Sequence, residues 1–122
     1  MFRSPLVALL LVLTSTHSLA QTFEEAAPPP SADEVRKILS GNVFSVSIAD
    51  GSTWRVDFNK NGYYFFNASG GYSDSGKWRT EDGKLCVEPR KTPAACNDAR
   101  VNQGFLVLKR LTGEIVVYRP KE

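Results

Sequence analysis

Between Thr53 and Asn59 apolar and polar side chains alternate without a break, with Trp54, Val56 and Phe58 on one face and Arg55, Asp57 and Asn59 on the other. That period of two predicts a half-buried strand. Asn61-Gly62 follows at once and is a strong hairpin signal, because both central residues of a type I′ turn need positive φ. Tyr63 to Asn67 is then the return strand. With a two-residue turn Phe58 faces Phe65 across the ladder, and Tyr64 and Phe66 lie on the opposite face with Arg55 and Asp57. A loop one residue longer or shorter would exchange those two sets. Two more hairpins are readable: Asp82-Gly83 lies between Trp78 and the Leu85/Val87 pair, and Thr112-Gly113 divides the apolar stretch from Phe105 to Tyr118. Together with Val43 to Ile48 these give at least seven short strands. Gly-containing turns at this spacing predict a mainly β protein, a small antiparallel meander closed into a barrel or half-barrel.

Upstream the period changes from two to that of a helix. Ser31 with Glu34 three residues on makes a capping box, Val35, Ile38 and Leu39 fall on one face, and Arg36 and Lys37 point outward. Gly41 stands where a helix C-terminus favours glycine. About ten residues are too few for a helix to be stable alone, so the apolar stripe must dock on the sheet, capping one end or one face. Before it, Thr22 to Pro30, including Pro28-Pro29-Pro30, cannot form a regular element and reads as an extended, polyproline-like lead-in.

The first twenty residues belong to none of this. Arg3, the apolar run Leu6 to Leu13 and the small-residue site Ser18-Leu19-Ala20 read as a secretory signal peptide. Its apolar run is short of the roughly 20 residues that span a bilayer, so no transmembrane segment is expected. The expected organisation is therefore a signal at 1–20, a lead-in at 21–30 and one domain at 31–122. Export makes a periplasmic or extracellular location the expectation, and with no cysteine at the cleavage point no lipid anchor is expected.

Removal of residues 1–20 leaves 102 residues, enough for one compact domain and expected to be a monomer. It also removes His17, the only histidine. Most acid–base and metal chemistry leaves with it. Cys86 and Cys96 are the only cysteines, and in an oxidising compartment they are expected to form a disulfide. Their spacing is not C-x-x-C, and no histidine remains to complete a zinc site, so no metal is expected.

Charge is unevenly spread: Gln21 to Gly76 carries four basic and seven acidic side chains, and Lys77 to Glu122 carries ten basic and six acidic. A difference this small is expected of a solvated surface, and no nucleic-acid partner is expected. For catalysis at a serine, the candidate bases are Lys77 near Ser73 or Ser75, and Lys37 near Ser40, and nothing marks either as a dyad. Asp57, Asp74, Glu81, Asp82 and Glu88 supply carboxylate pairs only by chance, in a barrel too small for a sugar cleft. No catalytic residue and no cofactor are therefore assigned. Asn67-Ala68-Ser69 is formally a glycosylation sequon and reads as a turn.

Several stretches are also similar to known proteins. Ser31-Ala32-Asp33-Glu34-Val35, Leu39-Ser40-Gly41-Asn42, the aromatic strand running to Asn61-Gly62, Ser75-Gly76-Lys77-Trp78, Leu85-Cys86-Val87 and Cys96 together resemble a group of small exported bacterial proteins classed only as a domain of unknown function. The resemblance covers Ser31 to Tyr118 and implies a short helix followed by a lipocalin-like or half-barrel sheet with bridged cysteines. It implies no activity. Gly76-Lys77-Trp78 resembles the Gly-x-Trp of lipocalins, whose tryptophan packs at the closed end, though here it sits mid-chain; the plainer reading is a core tryptophan beside a glycine that relieves crowding. Ser69-Gly70-Gly71-Tyr72 resembles, one residue short, the Ser-Gly-x-x-Tyr loop of periplasmic lysozyme inhibitors; the plainer reading is a flexible turn.

Binding is what remains, in two forms. In one, an outer sheet face carrying Arg55, Tyr64 and Phe66, with Ser69 and Tyr72 nearby, engages a protein partner, including a hydrolase such as lysozyme. In the other, a barrel interior lined by Trp54, Phe58, Phe65 and Trp78 holds a small apolar ligand. With so many aromatic side chains expected to fill a short barrel, the outer face is the favoured expectation.

Overall fold

The computed structural model describes residues 23–121; the expected signal segment and the first two residues of the lead-in lie outside them. One helix, α1 (Ala32–Leu39), precedes eight strands: β1 (Val43–Ser47), β2 (Thr53–Phe58), β3 (Tyr63–Ala68), β4 (Ser73–Glu81), β5 (Lys84–Pro89), β6 (Ala95–Asn102), β7 (Phe105–Lys109) and β8 (Ile115–Pro120). Every strand pairs antiparallel with its sequence neighbour, and β8 returns to β1 through Phe44↔Pro120 and Ser45↔Arg119. The sheet is a closed meander barrel, so no strand edge is left to pair elsewhere.

Glycine sets the loop geometry that fixes register. Four hairpins share one three-residue form: the glycine N–H of Gly51, Gly62, Gly71 or Gly113 donates to the carbonyl three residues back, and that earlier residue's N–H donates to the carbonyl after the glycine. Each of the four glycines has φ near +90°, the left-handed position of a turn closed by a bulge. At Lys60-Asn61-Gly62 this loop is one residue longer than the expected Asn61-Gly62 turn, and only Gly62 has positive φ. The register shifts accordingly, pairing Phe58 with Tyr64 and not with Phe65. Tyr64 is therefore inside at 5 % exposure, and Phe65 is outside at 48 %. Phe66 also turns inward, against the core and the ring of Trp54.

The aromatic part of the core gathers toward the end near the helix. Phe58 sits at its centre, with the rings of Phe44, Tyr64, Trp78 and Tyr118 at centroid distances of 5.9, 6.3, 5.4 and 6.1 Å. Trp78 donates from Nε1 to the carbonyl of Asn59 at 3.0 Å. Beside it, a Cβ on Gly76 would stand 2.0 Å from the carbonyl oxygen of Glu88. Glycine there permits the close β4–β5 approach, in keeping with the plainer reading of Gly76-Lys77-Trp78.

The helix seals this end by packing on β4 and β5. Ser31 Oγ accepts from the N–H of Glu34 at 3.2 Å, Asp82 Oδ1 accepts from the N–H of Ala32 at 2.9 Å, and Thr80 Oγ1 donates to the carbonyl of Ala32 at 2.7 Å. The first turn is thus capped partly by its own cap residue and partly by the β4–β5 hairpin. Val35 and Leu39 are fully buried, and Gly41 donates to the carbonyl of Phe58 at 2.7 Å. The lead-in is equally attached: Pro30 is buried and accepts from Gly83 N–H at 2.7 Å, and the Arg100 guanidinium stands 5.1 Å from the ring centre of Phe23. Glu25 pairs with Lys109. These contacts hold the lead-in against the barrel wall.

Candidate functional site

In a meander, alternate hairpins collect at opposite ends. The loops 48–52, 68–72, 90–94 and 110–114 share the end away from the helix. Between them the barrel opens into a lumen of about 230 Å³ above the aromatic plug. Phe58, Tyr64, Phe66, Leu108, Val116 and Tyr118 form its apolar wall, while Asp74, Asn97 and Arg110 bring polar groups to it. A larger hollow of about 400 Å³ lies outside, against Tyr63, Lys77 and Arg79. The smaller lumen is the better candidate, because convergent side chains surround it and the outer hollow is open surface.

The sequence candidates distribute unequally. Trp54, Phe58, Tyr64, Phe66 and Tyr72 meet at the lumen. Trp78 lies in the core beneath, and Phe65 faces solvent instead of lining a cavity. Arg55 is exposed on the outer wall, opposite Asn67. The expected surface cluster of Arg55, Tyr64 and Phe66 is thus divided between two faces, because one extra loop residue inverts β3. Ser69 is tied into the rim: its Oγ accepts from the N–H of Thr53 at 3.0 Å. Tyr72 packs edge-on against Phe66 at 6.1 Å, with the Lys91 ammonium 5.4 Å from its ring.

Asp74, Asn97 and Arg110 are the lumen residues that sequence reasoning missed as binding groups. In the sequence Asp74 reads only as a chance carboxylate. In the fold it pins the β5–β6 loop, Oδ1 accepting from Ser75 N–H at 2.7 Å and Oδ2 from Lys91 N–H at 3.2 Å. Partial burial acts to raise its pKa, but the backbone N–H groups of Ser75, Lys91 and Arg90 and the Lys91 charge outweigh this and hold it below the usual 3.8. Arg110 caps the opposite wall, its guanidinium 4.9 Å from the Trp54 ring centre and Nη1 donating to Glu114 Oε1 at 2.8 Å.

Tyr64 and Tyr118 bring hydroxyls to the same lumen, as do Tyr72 and Thr92 at its rim. Burial, then the charge of Asp74 and the neighbouring Tyr72, push Tyr64 up to about 12. Burial above all raises Tyr118 too, with Tyr64 adding and Arg110 opposing. Both are neutral O–H donors at physiological pH. Neither hydroxyl has a hydrogen-bond partner among the described residues.

Cys86 and Cys96 face each other across β5 and β6 and form a disulfide, with Cα atoms 4.0 Å apart. With Glu81 they place donor atoms within 4.8 Å of one another, the one such cluster among the described residues. Joined sulfurs offer no thiolate to a metal. Among the described residues no helix is long and apolar enough to cross a membrane.

Fold and site thus define a small closed antiparallel β-barrel with a helix-sealed base and a lumen open at the other end. No family model matches the chain, and neither a curated protein nor a solved structure matches it.

Proposed function

We propose that this is a non-catalytic exported binding protein whose lumen takes a small, mainly apolar group entering between the four loops. The observation that carries this is the lumen itself: an aromatic-walled space of about 230 Å³ to which Asp74, Asn97 and Arg110 bring polar groups. At ~30 Å³ per water the space equals about eight water molecules. It suits a single substituted ring or a short branched chain and is too small for a whole lipid. Export is supported by the N-terminal signal pattern and the disulfide, and the absence of a mature-chain histidine supports binding over catalysis.

The test is native mass spectrometry of protein purified without denaturation, followed by titration with an apolar fluorophore that brightens on desolvation. A bound small molecule, or saturable binding that Val87→Phe weakens at least tenfold by filling the lumen, is the expected result. Bare protein that fails to bind the fluorophore would overturn the reading. A second reading, capture of a protein on the outer wall, rests on Tyr63 and Phe65, which are 45 % and 48 % exposed. Crosslinking to a specific partner that survives Val87→Phe and is lost in Phe65→Ser would favour it.

A further inference from the structure

The polar groups at the lumen are not balanced. Asp74 is the one carboxylate lining it, and both of its oxygens already accept backbone N–H groups. Asn97, Thr92 and the tyrosine hydroxyls both donate and accept, so the uncommitted group at the lumen that can only donate is the Arg110 guanidinium. Arg110 commits only Nη1, to Glu114, and a guanidinium has five N–H groups to give. Tyr64 and Tyr118 are more than nine-tenths buried, line the same space, and have hydroxyls without a partner among the described residues. Among the described residues the one buried side-chain polar atom without a partner is Arg100 Nε, so both hydroxyls open onto accessible space, where a ligand can reach them. Both tyrosines line the same space as Asp74 and Arg110. A ligand complementary to this lining has an apolar body and an acceptor head, and a head beside an arginine is best anionic.

We propose that the lumen selects small carboxylates, seating one ring or a short branched chain against Phe58, Phe66 and Leu108 and directing the carboxylate to Arg110 and the Tyr118 hydroxyl. The proposal rests on the lumen being the binding site. Glu114 holds Arg110 while the lumen is free and gives it up to the incoming carboxylate. The Trp54 ring keeps the guanidinium at the rim during that exchange.

Three probes of equal body separate head-group chemistry from apolar burial: phenylacetate, phenylacetamide and 2-phenylethylamine, each titrated calorimetrically into the purified protein. Phenylacetate is expected to bind at least about tenfold more tightly than the amine, the range of a charge-assisted hydrogen bond. Arg110→Gln should abolish that preference and leave the amide unchanged, while Glu114→Gln should tighten phenylacetate several-fold by removing its competitor. Tyr118→Phe should weaken both phenylacetate and the amide. Arg110 and Glu114 form a partly exposed pair, so both variants are expected to fold, with unchanged melting temperature as the control. Equal affinity for all three probes, or a preference that survives Arg110→Gln, would overturn carboxylate selection. If no probe binds but the apolar fluorophore still enters, carboxylate selection is wrong and lumen binding stands. If the fluorophore fails too, both fall together.

Discussion

Tyr64 and Phe65 are adjacent aromatic residues with opposite fates, and nothing in their own chemistry decides which is buried. Lys60-Asn61-Gly62 decides it, because a three-residue loop places Tyr64, and not Phe65, opposite Phe58. Replacement by serine separates the two. Tyr64→Ser removes a ring packed on Phe58 and should cost about 3–5 kcal/mol, lowering the urea midpoint at unchanged slope. Phe65→Ser, on the outer wall, should cost no more than about 1 kcal/mol. Comparable losses in the two variants would mean that Tyr64 does not pair with Phe58 inside the barrel. Asn61-Gly62 made the hairpin legible in the sequence, but the same dipeptide fits the two-residue turn and the three-residue loop, and the two differ by one residue of register.

At the scale of elements, the β5–β6 hairpin carries the rim loop that contributes Thr92 to the lumen. Three constraints fix it: the Cys86–Cys96 bridge, the hold of Asp74 on Lys91 N–H, and the Arg90 N–H bond to the Ser75 carbonyl at 3.0 Å. Removing the bridge by paired alanine substitution should cost about 2–3 kcal/mol by loop entropy. In a domain of this size that lowers the melting temperature by roughly 10–20 °C, measurable by calorimetry. An unchanged melting temperature would mean that the bridge does not form in solution. The cysteines could be paired from sequence because no other partner exists. Strand β6 could not be read, because in Ala95–Asn102 only Ala99 is buried and a single small core residue leaves no visible alternation. The helix was legible for the contrary reason, since Ser31, Val35, Leu39 and Gly41 each mark it locally.

For the molecule as a whole, the buried tyrosines Tyr64 and Tyr118 couple stability to alkaline pH. Tyr64 has a folded-state pKa of about 12 against an ordinary 10.0, and burial shifts Tyr118 in the same direction. Above pH 10 the unfolded chain releases protons that the folded barrel keeps. Stability from these groups is therefore full below the ordinary value and falls as pH rises through the folded one. Urea unfolding at about pH 9 and about pH 11 should show the loss, and phenolate absorbance should show late-ionising tyrosines in the native protein. A midpoint flat across that window would mean that the hydroxyls are open to solvent and the lumen is wider than about 230 Å³.

The sequence by itself determined the helix with its cap, the repeated hairpins and the mainly β class, because each depends on neighbours a few residues apart, and the cysteine pair, because the chain has two cysteines. Tertiary structure alone decided that the sheet closes, that α1 seals one end, and that Tyr64, Asp74, Arg110 and Tyr118 share a space. These four come from β3, β4, β8 and the loop after β7. They meet only because eight antiparallel strands bend round until the last bonds to the first, and long-range closure of that kind leaves no periodic trace in the sequence.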